Sequence, residues 1–371
     1  MIKNFCIIFI TVFFSTNIKS YEFSNNSLNK KIIDQNKPLT FVILGHLRDG
    51  AQWNFPNYRT ERFLKKLQNN NLSFIVLLGD TFYEPNKTNI LKLKRLLNNL
   101  DYPVFQAIGN HETYLYSIQN MNQETNLETL NKFKVNNKNY YIENFGETNN
   151  FFIINNNCFF ILDFENEVIG LSNKFEEIFF DKIKNCGNND EIKNIFLFSH
   201  KLIWAFNDDY QNVLKNTNSY GDYINKNYKN DQINKIYNTI IEISNDKKVF
   251  WISGDSDNYY YYRNKNPFFG VIGNNNLPSD YGLLFEDVGE SIFEVSAINI
   301  NNLSKENIIY EDYDIAELDN KSSKMYNNFF STISISSLKL IIKYNIKYLF
   351  LYAILITLFF VILLFILIKR K

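Results

Sequence analysis

Residues 102–112, YPVFQAIGNHE, join an apolar run to four small or polar residues. Asn and His are poor strand formers, so this stretch predicts a buried strand that ends where GNHE begins. Polar side chains at such a strand end are aimed at something. The question is therefore whether other strands supply partners for Asn110 and His111.

Four other apolar runs end in the same way, in the polar tips HLRD, GDT, SHK and GDSD. These runs lie at residues 39–45, 72–80, 193–200 and 247–255. Amphipathic helical patterns at 58–70 and 87–100 separate the first three strands, and this β-α-β-α-β order predicts parallel strands. Because the carboxyl ends of strands line the functional crevice of an open α/β sheet, we expect the five tips to meet.

The residue types at the five tips are those of a metal site. They are His46, Arg48, Asp80, Asn110, His111, His200, Asp255 and Asp257, and they include all three histidines of the chain. Carboxylate, imidazole and amide oxygen together suit Mn, Fe(II), Zn or Mg. Two such ions about 3.5–4 Å apart, bridged by one carboxylate, could hold a hydroxide for attack on phosphorus. The tips therefore predict a site for one or two divalent metal ions.

The motifs GD (79–80), GNHE (109–112), SH (199–200) and SGD (253–255), in that order, resemble the calcineurin-like metallophosphoesterases over roughly residues 39–300. The resemblance implies an α/β fold, an αββα sandwich of two sheets flanked by helices, that hydrolyses phosphate esters. Carried over by position, it implies that Asp80 bridges two metals and that Asn110, His200 and Asp255 complete the second metal site. It also implies that His111 binds no metal and stabilises or protonates the leaving oxygen.

The chain departs from the family at both ends of the motif series. The family usually opens with Asp-x-His and closes with Gly-His-x-His, whereas this chain has HLR at 46–48 and GDSD at 254–257. His46 and the two aspartates of the closing run can still bind metal. Arg48 has no lone pair to offer a metal, but it can grip a phosphate through paired hydrogen bonds. We therefore expect the second metal site to be better formed than the first. In the alternative interpretation Arg48 is a surface charge paired to Asp49.

Both ends of the chain are hydrophobic. Residues 5–14 form an apolar run behind Lys3 that is too short to span a bilayer, which predicts a signal peptide, with an uncleaved anchor as the alternative. Residues 348–368 carry no charge and precede a basic tail, which predicts a membrane helix with a cytoplasmic C-terminus. The predicted organisation is signal peptide 1–20, tether 21–37, phosphoesterase domain 38–300, stalk 301–347, transmembrane helix 348–368 and tail 369–371.

These observations predict a membrane-anchored, extracytoplasmic phosphoesterase that hydrolyses a phosphomono- or diester with a metal-activated hydroxide. Its catalytic residues are His111 and Arg48, and Arg48, Tyr83 and Tyr114 contact substrate. The expected substrate is a phosphorylated small molecule or an envelope or lipid-linked phosphate. The location is the periplasm or cell envelope in a bacterium, or the secretory lumen or cell surface in a eukaryote. A net charge of zero gives no basic field to recruit nucleic acid.

The altered motifs also support a second hypothesis, that the chain is a catalytically degenerate family member used as a binding or scaffold protein. His46 and Arg48 motivate it, because an eroded first metal site leaves the fold intact.

Two further features lie in the later part of the domain. Cys158 and Cys186 either pair, as an oxidising compartment permits, or are two separate thiols. Residues 139–146, NYYIENFG, read as the first strand of a meander that continues through NFFIINN and CFFILDFE.

Overall fold

A computed structural model of the chain describes residues 26–34, 37–47, 58–68, 71–82, 84–113, 127–165, 173–224, 230–256, 261–263, 265–273, 281–300 and 302–307. All of them belong to the first of two compact units, Met1–Tyr313; the second unit is Asp314–Lys371. The predicted signal peptide, transmembrane helix and tail lie outside the described residues. Within those residues no helix has the length and apolar character needed to cross a membrane.

The described residues contain two six-stranded sheets, whose strands are numbered here in chain order. The strands are β1 Thr40–Leu44, β2 Phe74–Leu77, β3 Val104–Gln106, β4 Asn150–Ile154, β5 Asn157–Leu162, β6 Asn194–Ser199, β7 Lys248–Ser253, β8 Tyr261–Arg263, β9 Phe268–Val271, β10 Tyr281–Asp287, β11 Phe293–Asn299 and β12 Lys305–Asn307. The first sheet has the order β12-β11-β10-β1-β2-β3 and the second β4-β5-β6-β7-β9-β8. Strands β1, β2 and β3 run parallel, as the sequence predicted, and so do β5, β6, β7 and β9.

The α-helices connect these strands. They are α1 Tyr58–Leu67, α2 Lys87–Asn98, α3 Asn110–Thr113, α4 Leu127–Phe145, α5 Asn173–Asn188, α6 Gln211–Leu214, α7 Ser219–Ile224 and α8 Asn230–Ile243. Short 3₁₀ turns at Ile203–Phe206 and Asp208–Tyr210 follow β6. Asn86 caps α2, since its side chain accepts a hydrogen bond from the Asn89 N–H at 2.9 Å.

Alternate residues of β1 show how the layers are built. Phe41 and Ile43 belong to an apolar core shared with second-sheet residues such as Phe159 and Phe196. Val42 and Leu44 belong to a separate core, shared with residues of α1 and α2. Because successive strand side chains point to opposite faces, β1 packs against the other sheet on one face and against helices on the other. This is the mixed α/β, two-sheet architecture that the sequence predicted.

The domain extends beyond the predicted boundaries 38–300 on both sides. Within the predicted tether, the Leu28 N–H donates to the Val104 carbonyl at 2.7 Å, and the Asn29 side chain donates to the Tyr102 carbonyl at 2.9 Å. These bonds cover the outer edge of β3, which protects unpaired strand groups. Within the predicted stalk, β12 pairs antiparallel with β11. Parts of both segments therefore belong to the folded domain.

Residues 139–146 differ from the sequence expectation. NYYIENF ends helix α4 instead of forming a strand. Tyr141 and Phe145 are four residues apart and both buried, with ring centroids 4.9 Å apart. Such i, i+4 pairs lie on one helix face, and burial of that face outweighs the local strand preference of the tyrosines. The meander is thus a hairpin of β4 and β5 alone.

A candidate metal centre

The loop after β2 holds Asp80 in an unusual backbone conformation. Gly79 and Asp80 have φ values of +82° and +50°, the left-handed region that a non-glycine residue rarely adopts. The His111 backbone N–H donates to Asp80 Oδ1 at 3.0 Å, so the GNHE segment and the loop position each other. A Cβ on Gly109 would lie 2.4 Å from Asp80 Oδ1, which explains why a glycine stands there.

Glu112 holds this loop through hydrogen bonds to the loop backbone. Its fully buried carboxylate accepts backbone hydrogen bonds from Asp80 at 2.9 Å, Thr81 at 2.6 Å and Gly109 at 2.8 Å. Burial and the neighbouring charge of Asp80 raise the pKa of Glu112 to about 7. Glu112 is part of the GNHE motif, but its role was not predicted from the sequence. It joins the end of β2 to the end of β3.

The two oxygens of the Asp80 carboxylate have different neighbours, although the His46 and His200 rings lie only 5.1 Å apart. Oδ1 lies 3.4 Å from His200 Nε2, whereas Oδ2 lies 3.8 Å from His46 Nε2 and 3.7 Å from His111 Nε2. All four side chains are buried. One ligand atom each from His46, Asp80 and His200 lie within 4.8 Å of one another, close enough to hold a metal ion. The carboxylate thus stands between two imidazole groups.

The hydrogen bonding of His200 fixes which ring nitrogen faces the site. Nδ1 lies 2.7 Å from the Leu78 carbonyl, which can only accept, so Nδ1 carries a hydrogen. Nε2 points at oxygens only: Asn110 Oδ1 at 3.2 Å, Asp80 Oδ1 and Asp255 Oδ1 at 3.4 Å, and Glu165 Oε1 at 4.0 Å. If Nε2 carried no hydrogen, its lone pair would face four oxygens and be repelled by them. A cation between these atoms, either a proton on Nε2 or a metal ion, removes this repulsion.

Asp255 stands where the calcineurin-like metallophosphoesterases that this chain resembles usually have a histidine. The two oxygens of its carboxylate differ in their contacts. Oδ2 accepts hydrogen bonds from Lys201 Nζ at 2.9 Å and Ser219 Oγ at 2.5 Å. Oδ1 is buried 3.4 Å from His200 Nε2 and has no well-formed hydrogen bond to any residue that the structure describes. The carboxylate is therefore anchored through one oxygen and offers the other to the site.

Glu165 follows β5 and was missed by the sequence analysis. The run CFFILDFE is a buried strand that ends in acidic residues, so the rule that found the other five tips could have found this one. Its Oε1 atom is buried 4.0 Å from His200 Nε2 and 3.8 Å from Lys201 Nζ, with no hydrogen bond to another described residue. Within the part of the chain that the structure describes, Glu165 is a sixth acidic or polar strand end at the site.

Lys201, like Glu112 and Glu165, was not among the residues predicted from the sequence. It is buried, and its Nζ lies among three carboxylates: Asp222 at 2.8 Å, Asp255 at 2.9 Å and Glu165 at 3.8 Å. A buried ammonium group is stable only when it is paired in this way. No local pattern predicts this role, because Lys201 directly follows the SH motif and resembles an ordinary polar loop residue.

The charges of this cluster shift the pKa values in opposite directions. Burial alone lowers the pKa of His200, but the carboxylates of Asp80 and Asp255 raise it to about 10. Burial opposes ionisation of Asp255, yet Lys201 and His200 hold the pKa of that carboxyl well below its usual range. Burial raises the pKa of Glu165 to about 8 against the opposing charges of Lys201 and His200. The positive charges of Lys201 and His200 are thus too weak to offset the cost of burying the Glu165 carboxylate.

These residues fit a divalent cation. Two buried carboxylate oxygens, Asp255 Oδ1 and Glu165 Oε1, face the same imidazole nitrogen and lack a hydrogen bond within the described part of the chain. Buried carboxylate oxygens without a partner are costly, and a metal ion satisfies them. The donor set of carboxylate, amide oxygen and imidazole is one that hard and borderline divalent metals take.

The structure brings together six of the predicted site residues: His46, Asp80, Asn110, His111, His200 and Asp255. The other four, Arg48, Tyr83, Tyr114 and Asp257, lie outside the described residues. On one side of Asp80, oxygens of Asn110, Asp255 and Glu165 lie around His200 Nε2. On the other side of Asp80, the described residues include His46 and His111.

A family model for calcineurin-like phosphoesterases matches residues 46–220. No curated protein matches the sequence. Among solved structures, a purple acid phosphatase from yellow lupin (Lupinus luteus) seeds is 10% identical with a TM-score of 0.50, over 73% of this chain and 53% of the lupin chain. This chain thus spans about half the length of the lupin protein.

Two further structures share less of the geometry. A dimetal phosphatase from Danio rerio is 10% identical with a TM-score of 0.45, over 74% of this chain and 100% of its own. A phosphopantetheinyl hydrolase from Mycobacterium tuberculosis is 11% identical with a TM-score of 0.34, over 64% of this chain and 90% of its own. At such identities the likeness to the lupin phosphatase shows the fold alone. The family model, for its part, indicates a calcineurin-like phosphoesterase domain over residues 46–220.

Proposed function

We propose that this chain is a metal-dependent phosphoesterase that hydrolyses a phosphomono- or diester. The observation that carries the proposal is the position of Asp80, which turns one oxygen toward His200 and the other toward His46. A single carboxylate between two ligand groups is the arrangement that a two-metal site requires. The matched phosphoesterase family supports the same reaction class.

In this proposal the metal positions share Asp80. Asn110, His200 and Asp255 hold one ion, and His46, assisted by Asp257, holds the other. The bound ions, drawn from Mn, Fe, Zn or Mg, supply Lewis acidity and activate water. His111 lies beside Asp80 Oδ2 at 3.7 Å, where it gives a proton to the leaving oxygen. Arg48 holds the phosphate, and Tyr83 and Tyr114 contact the rest of the substrate.

We further propose that the domain works outside the cytoplasm, anchored to the membrane by residues 348–368. The uncharged C-terminal stretch supports the anchor. The disulfide between Cys158 and Cys186, which answers the question that the sequence left open, supports an oxidising compartment. A tethered domain at a membrane suits an envelope or lipid-linked phosphate, with a phosphorylated small molecule as the alternative substrate.

The experiment that tests the catalytic proposal compares the purified chain with its Asp80→Asn variant. Metal per chain is measured after loading with Mn²⁺ and Zn²⁺, beside hydrolysis of p-nitrophenyl phosphate and bis-p-nitrophenyl phosphate. We expect the variant to lose bound metal and at least about 100-fold in hydrolysis, because both metal positions share this carboxylate. Asp190→Asn, at an exposed site on the loop before β6, is the matched control.

Two results contradict the proposal. If Asp80→Asn keeps its metal and its hydrolysis, Asp80 has been given the wrong role. If the unaltered chain binds no metal and hydrolyses neither substrate, the domain is a binding or scaffold protein that kept the fold after losing the chemistry.

A further inference from the structure

Four oxygens lie at distances from His200 Nε2 that are compatible with ligands sharing one six-coordinate ion with it. With bonds of about 2.1 Å, adjacent ligands of an octahedral ion are about 3 Å apart and opposite ligands about 4.2 Å apart. Asn110 Oδ1 at 3.2 Å and the Asp80 and Asp255 oxygens at 3.4 Å match adjacent positions. Glu165 Oε1 at 4.0 Å matches the position opposite His200.

The burial of Glu165 is only partly offset by charge. Its side chain is 5% exposed, and among the described residues Oε1 has no hydrogen-bond partner. The nearest cation, Lys201 Nζ, lies 3.8 Å away and makes closer contacts with Asp222 and Asp255. A buried carboxylate oxygen aimed at a ring nitrogen among three other oxygens is satisfied by a metal ion bound between them.

Resting on the proposed function, we propose that Glu165 is an additional ligand of the metal position formed by Asp80, Asn110, His200 and Asp255. The resulting set has four oxygens and one nitrogen. Hard ions such as Mn²⁺ and Mg²⁺ favour oxygen ligands in octahedral arrangement, whereas Zn²⁺ favours four ligands with more nitrogen or sulfur. Glu165 and Asp255 together therefore shift the selectivity of this position from Zn²⁺ toward Mn²⁺.

Lys201 makes such a set possible. An imidazole in place of Asp255 would be neutral as a ligand, so the carboxylates of Asp255 and Glu165 add two negative charges near the ion. The Lys201 ammonium group, 2.9 Å from Asp255 Oδ2, offsets one of them and keeps Oδ1 of the same carboxylate turned toward the metal position. Ser219 Oγ, 2.5 Å from Oδ2, fixes the same orientation.

The test measures metal affinity in the full chain after chelation, with no assay of activity. Dissociation constants for Mn²⁺ are measured from the electron paramagnetic resonance signal of the free ion, and those for Zn²⁺ by competition. Glu165→Gln keeps the size of the side chain and removes its charge. Glu165→Asp keeps the charge and withdraws the oxygen by one methylene group. Glu177→Gln, exposed on α5, is the control.

If Glu165 is a ligand, Glu165→Gln and Glu165→Asp should each weaken Mn²⁺ binding by about 10-fold or more, since even residues that only hydrogen-bond to metal ligands cost that much when mutated. Zn²⁺ binding should weaken by less. Asp255→His is expected to move the Mn²⁺ to Zn²⁺ ratio further toward Zn²⁺. If Glu165→Asp binds Mn²⁺ as the unaltered chain does, Glu165 acts only through its charge, and the ligand assignment is wrong.

The same data separate this inference from the proposed function. A chain that binds metal through Asp80 but is indifferent to both Glu165 variants keeps the proposed function and loses the inference. A chain that binds neither Mn²⁺ nor Zn²⁺ loses both. Thermal unfolding of each metal-free variant shows that lost affinity does not come from lost folding.

Discussion

Glu112 illustrates how much of the site depends on a single buried side chain. Its carboxylate accepts three backbone hydrogen bonds, from Asp80, Thr81 and Gly109, and so holds the loop whose φ at Asp80 is +50°. Glutamine keeps one acceptor oxygen and places an NH₂ group against a backbone N–H. At least one buried donor is then left unsatisfied.

We therefore expect Glu112→Gln to lower the free energy of unfolding by about 3 kcal/mol, the scale of losing hydrogen bonds to a buried charge. It should also weaken metal binding, because Asp80 is no longer held in place. Urea unfolding and Mn²⁺ titration measure the two effects, with the exposed Glu177→Gln variant as control. Unchanged stability in Glu112→Gln would show that the loop is held by other contacts.

The residues that could be predicted from the sequence are those with a local signal. Asn110, His111, His200 and Asp255 each follow an apolar run, and that position alone placed them at the site. Lys201 could not be found in this way, because its function depends on three carboxylates that are distant in sequence. Glu165 has the same local signal, a position just after an apolar run, but the run was interpreted as a strand without a site residue at its end.

The same limit applies at the scale of the secondary-structure elements. Strands β1, β2, β3, β6 and β7 were predictable, because a continuous apolar run bounded by polar residues has few other interpretations. The prediction of a strand over residues 139–146 was wrong, because consecutive aromatic residues favour a strand locally whereas this segment ends helix α4. The choice was decided by tertiary contacts: the Tyr141 hydroxyl donates to Gln106 Oε1 at 2.9 Å, beneath the site.

The disulfide joins two elements of the second sheet layer, Cys158 in β5 and Cys186 in α5, across 28 residues. Closing a loop of this length in the unfolded chain stabilises the folded state by about 3–4 kcal/mol in the chain-entropy description. We expect replacement of both cysteines by alanine to lower the free energy of unfolding by that amount, measured by urea unfolding.

Reduction of the unaltered chain should lower its stability similarly, and the double variant should be indifferent to the reductant. Equal stability of the oxidised and reduced chains would contradict this prediction. Because Glu165 follows β5, whose last residue is Leu162, the disulfide is attached to the strand that leads to the proposed extra ligand.

At the scale of the whole molecule, the site is assembled from both sheets. Asp80 and Asn110 follow β2 and β3 of the first sheet, whereas His200 and Asp255 follow β6 and β7 of the second. The two sheets pack through an aromatic core, in which Phe41 stacks on Phe74 and Phe285 and meets Phe159 and Phe196 edge to face. The core thus sets the spacing between the two halves of the ligand set.

An ion bound by both halves ties the sheets together, so metal binding should stabilise the entire domain. A ligand at 100 times its dissociation constant adds about 2.7 kcal/mol to the free energy of unfolding, or roughly 5 °C in Tm for a domain of this size. We expect Mn²⁺ to raise the Tm of the chelated chain by this amount and to leave Asp80→Asn unmoved. Differential scanning calorimetry measures both. An equal rise in the variant would mean that Mn²⁺ binds elsewhere on the surface, and no rise in either protein would mean that the facing ligands from the two sheets do not share an ion.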